Sequence, residues 1–269
     1  MTEKLQEGCT VQPQTKEELA QIIYETCQEK GWDCDLNFID TSKITDMSYL
    51  FSDDVIVGFR LSNFCGNISK WDTSNVTDME GMFCGAKYFN GTLNYWDTSN
   101  VTDMSSMFAC TKSFNQQLNN WNTSCVENMG SMFYDAISFN QPLNNWDVSN
   151  VKLMASMFKV AKSFNQPLDN WNVSNVTDIS RMFEKAASFN QPLDKWNFKE
   201  VQYIANMFTR ANAFQSELPN FAGNDNEEDL LEELGLPPDF KPEIKRDQEP
   251  EKAHKKSIVD NFFARFKKC

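Results

Sequence analysis

A single histidine, ten glycines and no Cys-x-x-Cys pair are spread over 269 residues. The histidine, His254, lies in the proline-rich, charged stretch PPDFKPEIKRDQEPEKAHKK, where no nucleophile or paired carboxylate accompanies it. Glycine is scarce and no phosphate-loop motif occurs, so a nucleotide cradle is not expected. Cations are outnumbered, 25 Lys and Arg against 38 Asp and Glu, for a net charge of −13. A phosphate backbone selects basic surfaces, so this balance argues against a nucleic-acid partner. No apolar run approaches the roughly 20 residues that span a bilayer. The opening MTEKLQEGCTVQPQ has no hydrophobic stretch. The expectation is therefore a chain without an export signal, cytoplasmic unless it leaves by a route that needs none.

Eight cysteines are present, Cys9, Cys27, Cys34, Cys65, Cys84, Cys110, Cys125 and Cys269. Their spacing fits no zinc template, and they do not recur at equivalent places. They read as reduced thiols, with no metal site and no cofactor.

What the chain does contain is repetition. Trp71, Trp96, Trp121, Trp146, Trp171 and Trp196 are spaced by 25, as are the series Val76 to Val201, Phe83 to Phe208, Phe89 to Phe214 and Leu93 to Leu218. An earlier copy, DTSKITDMSYLF at 40–51, aligns with DTSNVTDMEGMF at 72–83 at an offset of 32, which places a seven-residue insertion after it. A fixed period of this length marks a stacked array in which each unit buries its apolar face only against its neighbours.

Two periodicities alternate inside a unit. In VTDMSSMFACT, Val101, Met104, Met107 and Phe108 predict one face of a short helix. Thr77 and Glu80 have the spacing of a capping box at its start. In LNNWDV at 143–148, Leu143, Trp146 and Val148 fit the inward places of a leucine-rich-repeat strand. The fold class expected is an α/β repeat solenoid, leucine-rich-repeat-like. It has one short parallel strand and one short helix per 25-residue unit, about seven units and a helical N-terminal cap.

The units FNQPLNNWDVSNVKLMASMF and FNQPLDNWNVSNVTDISRMF resemble the BspA-like leucine-rich repeat family over about residues 36–218. The resemblance implies a curved right-handed solenoid and a role in binding macromolecules, including host interaction.

The repeated letters read as construction. The Trp column faces inward with its indole N–H directed at a nearby Asn amide. The Met stripe fills gaps. Asn90, Asn115, Asn140, Asn165 and Asn190 stack so that their amides bond along the axis. Seven Asn-x-Ser/Thr sequons are by-products of the repeat. The outward places of the strand are left for binding, giving Tyr95, Asp97, Asn120, Asn145, Asp147, Asn170 and Lys195 as candidate partner-binding residues.

The boundaries expected are a helical cap at 1–35, the repeats at 36–219, an acidic cap segment at 220–240 and a tail at 241–269. In the cap, Thr15 and Glu18 form a capping box, and Leu19, Ile22, Ile23 and Cys27 form the apolar face of a helix. EEDLLEELGL reads as a short helix closing the other end. In KKSIVDNFFARFKKC, Phe262, Phe263 and Phe266 lie at helical spacing among basic residues, and they complete the candidate binding set. Such a basic amphipathic segment folds back on the repeats, enters a partner's groove or lies on a membrane surface through 255–269. The function expected is a non-enzymatic scaffold that presents its surface to a protein partner. The alternatives are a structural component docked through its ends and a membrane-peripheral protein.

Overall fold

A computed structural model describes residues 10–53, 58–218, 227–238 and 240, with backbone alone for 227–229. Among them the named elements are two helices, α1 at Lys16–Lys30 and α2 at Glu227–Leu234. Between them the chain turns once every 25 residues, and each coil lies against the next. Single parallel bridges join Asp78 to Asp103, Asp103 to Asn128, Asn128 to Leu153, Leu153 to Asp178 and Asp178 to Tyr203. The bridge from Asp46 to Asp78 spans the longer first unit at the offset of 32.

The local conformation differs from the expected strand and helix. Among the described residues, the segment predicted as a helix is a run of tight turns that also carries the parallel pairing. Met104, Ser106, Phe108 and Cys110 donate their N–H groups to Asn128, Gly130, Met132 and Tyr134 of the next coil at 2.7–3.0 Å. The alternate donors Met107, Ala109 and Thr111 close i→i−3 turns on Met104, Ser106 and Phe108. A helix would send every N–H four residues back, so half of the donors here serve the neighbouring coil instead. Ser106 and Cys110 have φ of +54° and +59°, and their counterparts repeat this in each coil from Gly81 and Gly85 to Asn206 and Arg210. A positive φ at the third place of a four-residue turn reverses the chain, which brings residues three apart to one side without forming a helix. The capping box fails for the same reason. Thr77 donates its hydroxyl to the Thr45 carbonyl, and Glu80 accepts the Tyr49 hydroxyl at 2.7 Å.

The segment predicted as a strand, 143–148, is likewise a turn, with Trp146 N–H donating to the Leu143 carbonyl at 3.0 Å. The inward set is nonetheless as expected. Phe139, Leu143, Trp146, Val148 and Val151 are all buried.

Positive φ disfavours side chains bearing a Cβ by roughly 1–2 kcal/mol, and the first full unit meets the requirement with glycine at both places, Gly81 and Gly85. Gly81 is doubly constrained, because a Cβ there would come within 2.4 Å of the Tyr49 ring. Val160 holds the second place in its own coil at φ +63°, the least tolerant combination because its side chain is β-branched. Val160→Gly is therefore expected to raise the unfolding free energy by about 0.5–1 kcal/mol, although glycine usually destabilises. Urea titration measures it. A loss of stability would mean that the half-buried Val160 side chain contributes more than its backbone strain removes.

The core is a set of aromatic columns. Phe83, Phe108, Phe133, Phe158, Phe183 and Phe208 stack with centroids 5.5–5.8 Å apart. A second column runs through Phe89, Phe114, Phe139, Phe164, Phe189 and Phe214 at 6.0–6.1 Å. Within each coil the two columns meet at 3.9–4.2 Å. The tryptophans form a third column, with Trp121 and Trp146 6.2 Å apart.

The indole N–H does not reach an asparagine amide. Trp71, Trp96, Trp121, Trp146, Trp171 and Trp196 donate to the backbone carbonyls of Leu36, Ile68, Leu93, Leu118, Leu143 and Leu168, one coil earlier, at 2.9–3.1 Å. Each tryptophan thus fills its own coil and satisfies a carbonyl of the previous one.

Both ends are covered. Thr15 caps α1 by accepting the Glu18 N–H, while the Glu18 carboxylate takes the N–H of Gln14 rather than of Thr15. The helix buries Leu19, Ala20, Ile23 and Cys27, with Ile22 only partly covered. At the other end, Asn206 and Phe208 donate to the carbonyls of Glu233 and Leu234. The end of α2 therefore supplies acceptors where a further coil would. Phe240 extends the second column, 5.9 Å from Phe214.

Candidate functional site

Three hydrogen-bonded columns define what the outside of the array has left to offer. In the first, the side-chain carbonyl of Asn90, Asn115, Asn140 and Asn165 accepts the backbone N–H of the next asparagine at 2.9 Å. Gln215 closes this column on Asn190. In the second, Asn75, Asn100, Asn150 and Asn175 donate their amide N–H to the carbonyls of Ser42, Ser74, Ser124 and Ser149. Cys125 stands where this column would have an asparagine. In the third, Thr41, Thr73, Thr98 and Thr123 donate to the carbonyls of Asp72, Asp97, Asn122 and Asp147. Valine then takes this place at Val148 and Val173. Many of the polar residues that recur most regularly are committed to holding coils together.

The predicted site residues divide against this background. Tyr95 is 80% exposed, the most exposed large apolar side chain among the described residues. Asn120, Asn145, Asn170 and Lys195 follow it at one place per coil, all exposed. The backbone N–H groups of Asn120 and Asn170 donate to Asn94 and Asn144, so their positions are fixed while their own amides face solvent. Lys195 pairs with Asp169 at 2.7 Å, and Asp169 also accepts from Asn144. These bonds, with the Lys195 contact the largest, hold the Asp169 carboxyl below the usual carboxylate range.

Asp97 and Asp147 are exposed, but each carboxylate accepts the N–H of the serine two residues on, at 3.0 Å. The bonds from Ser99 and Ser149 lower both carboxyl pKa values. These aspartates therefore build turns, and part of the accepting capacity of each carboxylate is already used. Phe262, Phe263 and Phe266 lie outside the described residues.

The structure adds a position that the spacing did not suggest. The bridged column runs Asp46, Asp78, Asp103, Asn128, Leu153, Asp178 and Tyr203. At Asp78, Asp103, Asn128 and Asp178 the side chain accepts the N–H two residues on. Leu153 and Tyr203 cannot do this, and they stand 42% and 62% exposed. The signal was available as two apolar letters in a column that otherwise reads Asp or Asn. Reading the segment as a helix obscured it. Tyr88, 64% exposed, is a further outlying aromatic.

Among the described residues no group of three or more His, Cys, Asp or Glu side chains is placed to hold a metal ion. No helix among them is long and apolar enough to cross a membrane.

No curated protein and no solved structure matches the chain. One family model does, over three overlapping stretches at residues 20–129, 54–159 and 118–221, as expected when the matched feature is itself repeated. Those stretches run together from α1 through the last coil. The chain thus belongs to the repeat family described as "Mycoplasma protein of unknown function, DUF285".

Proposed function

We propose that the chain is a non-enzymatic protein-binding scaffold, a leucine-rich-repeat-like solenoid of the BspA-like kind, and that host interaction is the setting the resemblance favours. The observation that carries this reading is the exposure of Tyr95, Tyr88, Tyr203 and Leu153 on an array whose other repeated aromatics are buried. Core packing does not require an aromatic at these places, since asparagine, serine or aspartate fills them in other coils. Tyrosine presents a large rigid surface with a polar tip and is enriched at the centres of protein interfaces. The side-chain amides of Asn120, Asn145 and Asn170 supply hydrogen bonds beside Tyr95.

The test is capture of partners from the cells that make the protein, followed by affinity measurement on the purified pair. The intact chain is compared with Tyr95→Ala, Tyr203→Ala and a chain lacking 241–269. The expected result is a protein partner retained by the truncated chain and weakened about tenfold or more by one of the tyrosine substitutions. Binding lost on truncation and recovered by the tail peptide alone would instead place docking in the terminal segment. Turnover of a small substrate that depended on one carboxylate would overturn the scaffold reading altogether.

A further inference from the structure

Cys27 lies in the last turn of α1, and Gly31 ends that helix by donating its N–H to the Cys27 carbonyl at 2.9 Å. Gly31 has φ +95°, and the reversal returns the chain so that Cys34 faces back toward the helix. The two sulfurs stand 3.7 Å apart. Both side chains are buried, at 2% and 9% exposure. The segment carrying Cys34 is itself fastened to the array. Asn67 N–H donates to the Cys34 carbonyl, Cys65 N–H to Trp32, and Leu36 N–H to Asn67. Cys27 therefore belongs to the capping helix and Cys34 to the segment that the first coil holds.

We propose that Cys27 and Cys34 form a reversible disulfide that staples α1 to the repeat array, made by exchange with a small disulfide of the glutathione class. The sulfurs are already in contact, so side-chain rotation can close the gap to the ~2.05 Å of an S–S bond. In the first step the Cys34 thiolate, the less buried of the two, attacks one sulfur of the reagent. A mixed disulfide forms, and one reagent thiolate leaves and takes up a proton. In the second step the Cys27 thiolate attacks the Cys34 sulfur of that mixed disulfide and expels the second reagent thiolate. The two protein thiols lose two electrons and two protons, and the reagent disulfide is reduced to two thiols. Burial pushes both thiols up from their ordinary range, so the exchange is slow at neutral pH and quickens in mild alkali.

The consequence is mechanical. An array that touches only its neighbours frays from its ends, and the staple closes the loop at one of them.

The test is incubation of the full-length protein with oxidised glutathione at mildly alkaline pH, alkylation, and trypsin digestion without reductant. Cleavage after Lys16, Lys30 and Lys43 separates the two cysteines, so the staple appears as peptides 17–30 and 31–43 joined and two hydrogens lighter than their sum. A rise in melting temperature of about 5 °C, reversed by dithiothreitol, accompanies it. Cys65→Ser keeps both results, and Cys34→Ser loses both. The peptide map of the unsubstituted chain decides the question even where Cys34→Ser fails to fold. Recovery of Cys27 and Cys34 as free thiols while Cys65 or Cys125 carries glutathione would overturn the proposal. So would a bond from Cys27 or Cys34 to Cys65.

Discussion

Phe133→Ala is expected to lower the unfolding free energy by about 3–5 kcal/mol, the upper range for removing one buried side chain. Phe133 is fully buried near the middle of the array. It stacks on Phe108 and Phe158 at 5.6 Å each, meets Phe139 at 4.0 Å, and lies 6.3 Å from Trp146. Alanine would leave a cavity lined by flat rings fixed in their own columns, so the site is poorly able to collapse. The position of the coil adds a second effect. Where neighbours carry all the coupling, a weakened interface in the middle divides the array into two parts. The unfolding transition followed by tryptophan fluorescence should therefore broaden as well as shift. Phe208→Ala, in the last coil, should shift it less, because the cavity there lies beside only one further layer. A cost below about 1 kcal/mol at Phe133 would mean that the columns do not form one continuous core.

Ser156→Pro is expected to cost about 3 kcal/mol or more through the backbone alone. Ser156 N–H donates to the Ser180 carbonyl of the next coil at 2.8 Å, and proline has no N–H to give. Ser156 also sits at φ +59°, whereas the proline ring holds φ near −65°. The two faults coincide in a half-buried turn whose side chain makes little of the core, so the loss cannot be ascribed to packing. Ser156→Gly serves as the control, since it removes the same hydroxyl while accepting the positive φ. A proline variant that unfolds at the same denaturant concentration as the glycine variant would show that the turn geometry is not required.

How much of this was legible in the sequence differed with the kind of information. Burial was written plainly. A residue that recurs every 25 places has the same neighbours in each copy, so the inward set Leu143, Trp146 and Val148 could be read without knowing the backbone. Backbone conformation was not. The spacing of Val101, Met104, Met107 and Phe108 is shared by a helix and by successive turns, and the residues that distinguish them, Ser106 and Cys110, carry positive φ without being glycine. Gly81 and Gly85 in the first unit were the available clue. Asp97 and Asp147 looked like free outward carboxylates, yet a serine two places on is a turn signature, and one oxygen of each accepts a hydrogen bond from that turn. The contact of Cys27 with Cys34 depends on Gly31 reversing the chain between them, and seven residues of sequence separation do not reveal it.

The near-identity of successive aromatic layers bears on how such a chain changes length. Phe133 meets Phe108 and Phe158 at the same distance, with its ring within 10° of each. A coil copied whole and inserted between two others would meet, above and below, surfaces it already fits. In-frame duplication of one unit therefore adds height to the array without opening a cavity or orphaning a backbone group, and deletion of a whole unit is healed in the same way. The capping ends need not change in either case. Length becomes a trait that recombination can adjust while Leu153, Tyr203 and the other outlying side chains, each confined to one coil, are carried along or left behind as units.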